Sequence, residues 1–178
     1  MPCKDIYAIL GGDMDCYSNS SVAFENGKKF VINNRSKKSI CKIHINNCLI
    51  NDNNIRKCDF FFAIKEDQKF YLVELKGQSL DDAVEQIKST FDILNSKIKK
   101  SAKDFIGVIV SSAVPKAADQ KFKAILFHTT PAPIVPVSVY SNLVKSYSIF
   151  VGIKLLPLII RKIVIVVQRI QSQQVDIR

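Results

Sequence analysis

Two acids and a lysine stand in a short, otherwise apolar stretch of the chain. Asp59 lies near the start of the run Cys58–Ile64 (CDFFFAI), and Glu74 and Lys76 close the run Lys69–Lys76 (KFYLVELK). Between the runs sits Lys65-Glu66-Asp67-Gln68, a polar break of the kind that joins antiparallel strands. A turn centred between Glu66 and Asp67 pairs residues whose numbers sum to 133. Asp59 then falls opposite Glu74, and Lys57 opposite Lys76. Side chains alternate along a strand, so Asp59, Glu74 and Lys76 share one face at one end of the hairpin.

Those residue types suit metal-dependent cleavage of a phosphodiester. Carboxylate oxygens hold hard cations such as Mg2+ or Mn2+, which neutralise phosphate charge. The carbonyl of Leu75, between the two outward-facing side chains, can add another oxygen. Lys76 is placed to steady the attacking water or the crowded phosphate. The plain alternative is a solvated ladder of Lys57, Asp59, Glu74 and Lys76. Against it, the same hairpin carries Phe60, Phe61, Phe62, Tyr71, Leu72 and Val73. Acids in such strands are expected to be partly buried, and buried charges are expensive without a partner or a metal.

The elements around the hairpin follow from pattern. A helix is expected from near Asp5, closing within residues 16–27. Phe30–Asn34 is a short strand candidate, and Ser39–Ile50 alternates like a strand. Ser79-Leu80-Asp81-Asp82 has a cap followed by acids, a helix start. Leu80, Ala83, Val84, Ile87, Phe91 and Leu94 recur at helical spacing, giving a helix over 80–98. Phe105–Val110 reads as a buried strand. The expected order is α-β-β-β-α-β.

Lys57-Cys58-Asp59, then Glu74-Leu75-Lys76, then a helix carrying Gln86, resembles the PD-(D/E)XK nuclease superfamily over about residues 20–115. The resemblance implies an α/β, restriction-endonuclease-like core and Mg2+-dependent (or Mn2+-dependent) hydrolysis of phosphodiester bonds, with DNA as the expected partner. It assigns metal binding to Asp59 and Glu74, assisted by Leu75, and the catalytic lysine role to Lys76. Gln86 matches the glutamine that many members carry on the next helix, and the usual downstream tyrosine is Thr90 here. Glu25 is a candidate for the acid often found on the first helix, with Asp15 competing. Cys58 stands where the motif has proline.

The rest of the chain bounds this reading. With 178 residues, 47% hydrophobic and only 6 Gly and 6 Pro, general disorder and collagen-like order are excluded. A net charge of +10 favours polyanionic partners. Residues 1–58 carry +4, residues 59–119 carry −1 and residues 120–178 carry +7. The resemblance implies a nuclease-like domain over residues 1–120, which an abrupt change of composition sets off from a basic apolar segment, 121–178. In the latter, residues 131–137 must be extended. Ser148–Val167 is apolar, but Lys154, Arg161, Lys162 and Pro157 interrupt it, so a membrane span is disfavoured. Packing against the core, against a second copy of the chain or on a membrane surface is expected instead.

Five cysteines form an odd set, and Met-Pro-Cys-Lys-Asp is not a secretory leader. Free thiols and a cytoplasmic setting are therefore expected. Cys41, His44 and Cys48 make a poor zinc set, because Cys41 and His44 point to opposite faces of a strand. No glycine pattern supports a nucleotide or other small-molecule cofactor. The competing functions are a non-catalytic nucleic-acid-binding protein on the same fold and a protein located by its tail at a membrane or partner.

Overall fold

The structure, a computed structural model, describes residues 3–75, 79–111, 148–151, 163–167 and 175–176. Helix α1 spans Lys4–Leu10 and stops at Gly11 and Gly12, whose φ of 69° and 88° a helix cannot continue. This corrects the expected helix closing within 16–27. Those residues form a single 3-10 turn (Met14–Cys16), β1 (Tyr17–Ser18) and β2 (Val22–Glu25). β2 and β3 (Lys28–Asn33) make a hairpin through Asn26-Gly27, both left-handed at φ 48° and 74°. That is the backbone a two-residue hairpin turn of matching twist requires.

β4 (Ile40–His44) is shorter than the expected 39–50. Beyond it Leu49 N–H returns to the His44 carbonyl and Ile50 N–H to Ile45, with Asn47 at φ 56°. β5 (Phe60–Ile64) and β6 (Lys69–Glu74) pair antiparallel from Phe60↔Val73 to Ile64↔Lys69. Every pair sums to 133, the register expected from the turn. α2 spans Leu80–Ile98, with the Ser79 hydroxyl accepting the Asp82 N–H at 3.4 Å. β7 is Phe105–Ser111, and β8 (Ser148–Val151), β9 (Ile163–Val167) and β10 (Val175–Asp176) follow. Six strands precede α2, not three, so the expected α-β-β-β-α-β order is corrected by the added strands.

The fold is mixed α/β. One sheet runs β1-β4-β5-β6-β7-β9-β8 and a second runs β10-β3-β2. α2 makes the crossover between parallel β6 and β7. On one face of the large sheet Phe61, Ala63, Phe70, Leu72 and Ile109 pack with Leu10 of α1 and with Ala83, Ile87, Phe91 and Leu94 of α2. On the other face Phe60, Phe62, Tyr71, Val73, Val108 and Val110 meet Ala23, Phe30 and Ile32 of the second sheet.

β8 and β9 add to the large sheet, β9 parallel to β7, so pairing continues past residue 120. The expected extended segment 131–137 lies outside the described residues, as does most of 148–167 beyond these two strands. Among the described residues no helix is long and apolar enough to cross a membrane.

The free-thiol expectation is also corrected. Cys3 bonds Cys41 and Cys16 bonds Cys48, while Cys58 is free and buried. The two disulfides fasten Cys3 to β4 and Cys16 to the loop after it. They also remove Cys41 and Cys48 from any zinc set.

Candidate metal centre at the open end of the hairpin

The register of β5 and β6, continued by one pair, sets Asp59 across from Glu74. Phe61 and Ala63 on one strand, and Phe70 and Leu72 on the other, face the helices. By alternation Asp59 and Glu74 face the same way. Both are withdrawn from water, at 7% and 2% exposure. Asp59 Oδ2 accepts the Leu75 N–H at 2.7 Å, and the Asp59 carbonyl accepts the Ile45 N–H at 2.9 Å. The side chain and the main chain of Asp59 are thus each tied to a neighbouring segment.

Helix α2 holds the residues just before Asp59. Gln86 Nε2 donates to the Lys57 carbonyl at 3.0 Å. Thr90 Oγ1 accepts the Cys58 N–H at 2.8 Å and donates to the Gln86 carbonyl at 2.8 Å. The helix is in register for this because Ser79 starts it and its apolar residues face the sheet, bringing Gln86 and Thr90, one turn apart, onto the Lys57–Cys58 peptide ahead of β5. Lys57 is buried too, and its ammonium donates to the Asp52 carbonyl at 2.6 Å. Ser111, fully buried, ends β7 on the face that Ile109 presents to the helices.

Lys57, Asp59, Glu74, Thr90 and Ser111 are the buried polar and charged side chains among the described residues. They sit at one end of three adjacent strands and the helix that covers them. Burial pushes the Cys58 thiol far up from its ordinary value, a hydrogen bond with Thr90 opposes this, and the charges of Glu74 and Asp59 add to the rise. Both carboxylates therefore lie within electrostatic reach of one sulfur atom.

The donor set fits a small hard cation. Two carboxylates on adjacent strands, withdrawn from water, offer oxygens and no sulfur or nitrogen. Mg2+ is commonly held by one or two carboxylates, with water and substrate oxygens completing its shell. Among the described residues no group of three or more His, Cys, Asp or Glu gathers to hold a metal.

The other expected site residues are placed as follows. Gln86 reaches the main chain beside Asp59. The Leu75 N–H serves Asp59, while its side chain packs on the opposite face of the sheet. Lys76 lies outside the described residues. Glu25 is not on the first helix: it ends β2 at the hairpin tip, opposite Lys28, which corrects that expectation. Asp15 lies in the exposed 3-10 turn. Neither makes a group of three with Asp59 and Glu74.

Part of the basic run near residues 28–42 has structural employment. Lys38 pairs with Asp67 at 2.7 Å. Lys42 donates to the Val22 carbonyl at 3.0 Å, and desolvation lowers its pKa. Lys28 and Lys29 are half-buried on β3, and Arg35 and Lys37 are exposed beyond it.

Reading the sequence alone missed the burial of Lys57 and Ser111 and the hydrogen bonds of Thr90. The signal for Thr90 was its i+4 spacing from Gln86 on a helix already placed. No family model matches the chain, and neither does any curated protein or solved structure.

Proposed function

We propose that this protein is a metal-dependent nuclease that hydrolyses phosphodiester bonds, with DNA as its substrate. The observation that carries the reading is the pair Asp59 and Glu74, buried on one face of adjacent strands. Mg2+ or Mn2+ bound there would neutralise phosphate charge and lower the pKa of water. Asp59 and Glu74 would hold the cation, with Leu75 offering its carbonyl. Gln86 fixes the main chain ahead of Asp59. Lys76 would orient the attacking water and counter the charge that grows on phosphate. In this reading the segment β5-β6-α2-β7 is the core of a restriction-endonuclease-like fold. The +10 net charge supports a nucleic-acid partner.

A second reading has one observation in its favour. No third ligating side chain joins the pair among the described residues. That suits a protein on the same fold that binds nucleic acid without cutting it. Assembly into a homo-oligomer through the C-terminal segment belongs to either reading. So does a cytoplasmic location, although two disulfides argue for oxidising surroundings. Trapping thiols with a maleimide before cell lysis decides between these locations.

The test incubates the purified full chain with plasmid, linear duplex and branched DNA, in Mg2+, Mn2+ or EDTA. Metal-dependent cleavage that Asp59→Ala abolishes supports the nuclease. Salt-sensitive binding with no cleavage in either metal supports the binder. Neither binding nor cleavage overturns both.

A further inference from the structure

We infer that Thr90 is a positioning residue for Asp59, setting the metal affinity of the pair through the main chain of Cys58. This rests on the metal-binding reading above. Thr90 is fully buried in the middle of α2. Its hydroxyl has one hydrogen to give and lone pairs to accept with, and both capacities are used. The hydrogen goes to the Gln86 carbonyl one turn back, at 2.8 Å. An oxygen lone pair takes the Cys58 N–H, also at 2.8 Å. The first bond fixes the rotamer that makes the second possible.

The Gln86 amide grips the Lys57 carbonyl at 3.0 Å. The helix therefore holds the carbonyl and the N–H of one and the same peptide unit, that between Lys57 and Cys58. One peptide further on is Asp59, whose carbonyl is tied to Ile45 and whose carboxylate is tied to Leu75. With α2 holding one side, the position of the Asp59 carboxylate relative to Glu74 is determined from three directions. Groups behind a metal ligand fix its orientation, and losing one commonly costs ten- to a hundredfold in affinity.

The chemistry at position 90 is specific. Serine has the same hydroxyl and can make both bonds. Valine matches threonine in shape but makes neither. A residue that only filled space would tolerate valine better than serine; a positioning hydroxyl demands the reverse.

The experiment measures Mg2+ and Mn2+ dissociation constants of the full chain by calorimetry, for wild type, Thr90→Val and Thr90→Ser. Thermal unfolding in EDTA runs alongside to read stability apart from metal. Expected are a dissociation constant at least about tenfold weaker for Thr90→Val and one near wild type for Thr90→Ser. A Thr90→Val protein that melts lower in EDTA but binds metal as wild type does would overturn the inference. If Thr90→Val fails to fold, nuclear magnetic resonance of the wild type during Mg2+ titration decides. The Cys58 amide signal should move in step with the Asp59 signals; a still Cys58 amide at metal saturation overturns the proposal. If wild type binds neither metal, the metal-binding reading falls and takes this inference with it. If wild type binds and both variants bind equally, only this inference falls.

Discussion

The two ends of the β5–β6 hairpin treat acidic residues in opposite ways. At the turn end, Asp67 meets Lys38 at 2.7 Å, each 27% exposed. Glu66 takes the Ser39 N–H at about 3 Å, which holds its carboxyl below the usual range. Lys69 meets Asp104 at 2.9 Å nearby, and Lys65 meets Asp5 across open surface. At the open end, Asp59 and Glu74 lie under α2 beside a buried thiol and a buried lysine. Solvent-facing pairs of the first kind usually contribute 0–1 kcal/mol. Burying two carboxylates on one face costs several times more unless something offsets it. A sheet that only needed solubility would carry all its acids as the turn end does. The contrast is one of burial: acids at the turn end meet cations near the surface, and those at the open end are withdrawn from water.

The largest effect expected from breaking that contrast is at the open end. Asp59→Ala and Glu74→Ala should each lower cleavage by about a thousandfold or more. Mg2+ should raise the melting temperature of wild type, and both variants should lose that upward shift. In EDTA Glu74→Ala should melt no lower than wild type, because removing one acid relieves carboxylate repulsion, whereas Asp59→Ala also leaves the buried Leu75 N–H without its acceptor and should melt lower. Thermal unfolding with and without Mg2+ checks this, and a Glu74→Ala protein that melts lower in EDTA would reduce the open end to a structural ladder.

Next in size is the clamp that fixes the loop leading to Asp59. Cys16–Cys48 and Cys3–Cys41 span 32 and 38 residues. Loop-closure entropy makes each worth about 4 kcal/mol. Urea unfolding with and without reductant should show a loss of that order. Paired Cys16→Ser and Cys48→Ser changes should weaken metal binding more than Cys3→Ser with Cys41→Ser. Equal effects would mean that the two disulfides serve stability alone.

A smaller effect belongs to the opposite face of the sheet. Burial, with the charge of Asp67 adding to it, pushes the Tyr71 phenol from 10.0 up to about 12. The folded protein keeps this proton between those values while the unfolded chain loses it. Stability should therefore fall as pH rises from about 10 to 12. Tyr71→Phe should flatten part of that fall in denaturant titrations at pH 9, 10 and 11. An unchanged slope would deny that the phenol is desolvated. The smallest effect is at the turn end, where Asp67→Asn or Asp104→Asn should cost under about 1 kcal/mol, with no change in metal binding. A larger loss, read in urea, would erase the difference between the ends.

The hairpin register was legible because one short charged break leaves little choice of turn centre. α2 was legible from Ser79 and the Leu80–Leu94 stripe. The β2–β3 hairpin was not read, although Asn26-Gly27 is a strong turn signal, because the flanking residues mix Glu25 and Lys28 with apolar ones. The strand over 39–50 was drawn too long, since β-branched residues continue past His44 while the backbone turns at Asn47. Disulfide partners cannot be deduced from cysteine spacing at all. They depend on β1 pairing with β4, which brings the first segment beside Cys41 and Cys48, a tertiary fact. At the site, the opposition of Asp59 and Glu74 follows from local pairing and was foreseeable. The Thr90–Cys58 bond joins residues 32 apart and depends on how α2 docks.

The parallel pairing of β7 with β9 also matters while the chain is being made. β7 ends at Ser111 and its neighbour in the sheet begins at Ile163. A ribosome adding 5–20 residues per second needs roughly 3–10 s to supply the intervening length. Through that interval β7 presents an apolar strand edge with no sheet neighbour, a template for unwanted pairing between nascent chains. Slow translation across residues 112–162 would prolong that exposure, and yield of soluble protein should track the speed of that stretch more closely than any other.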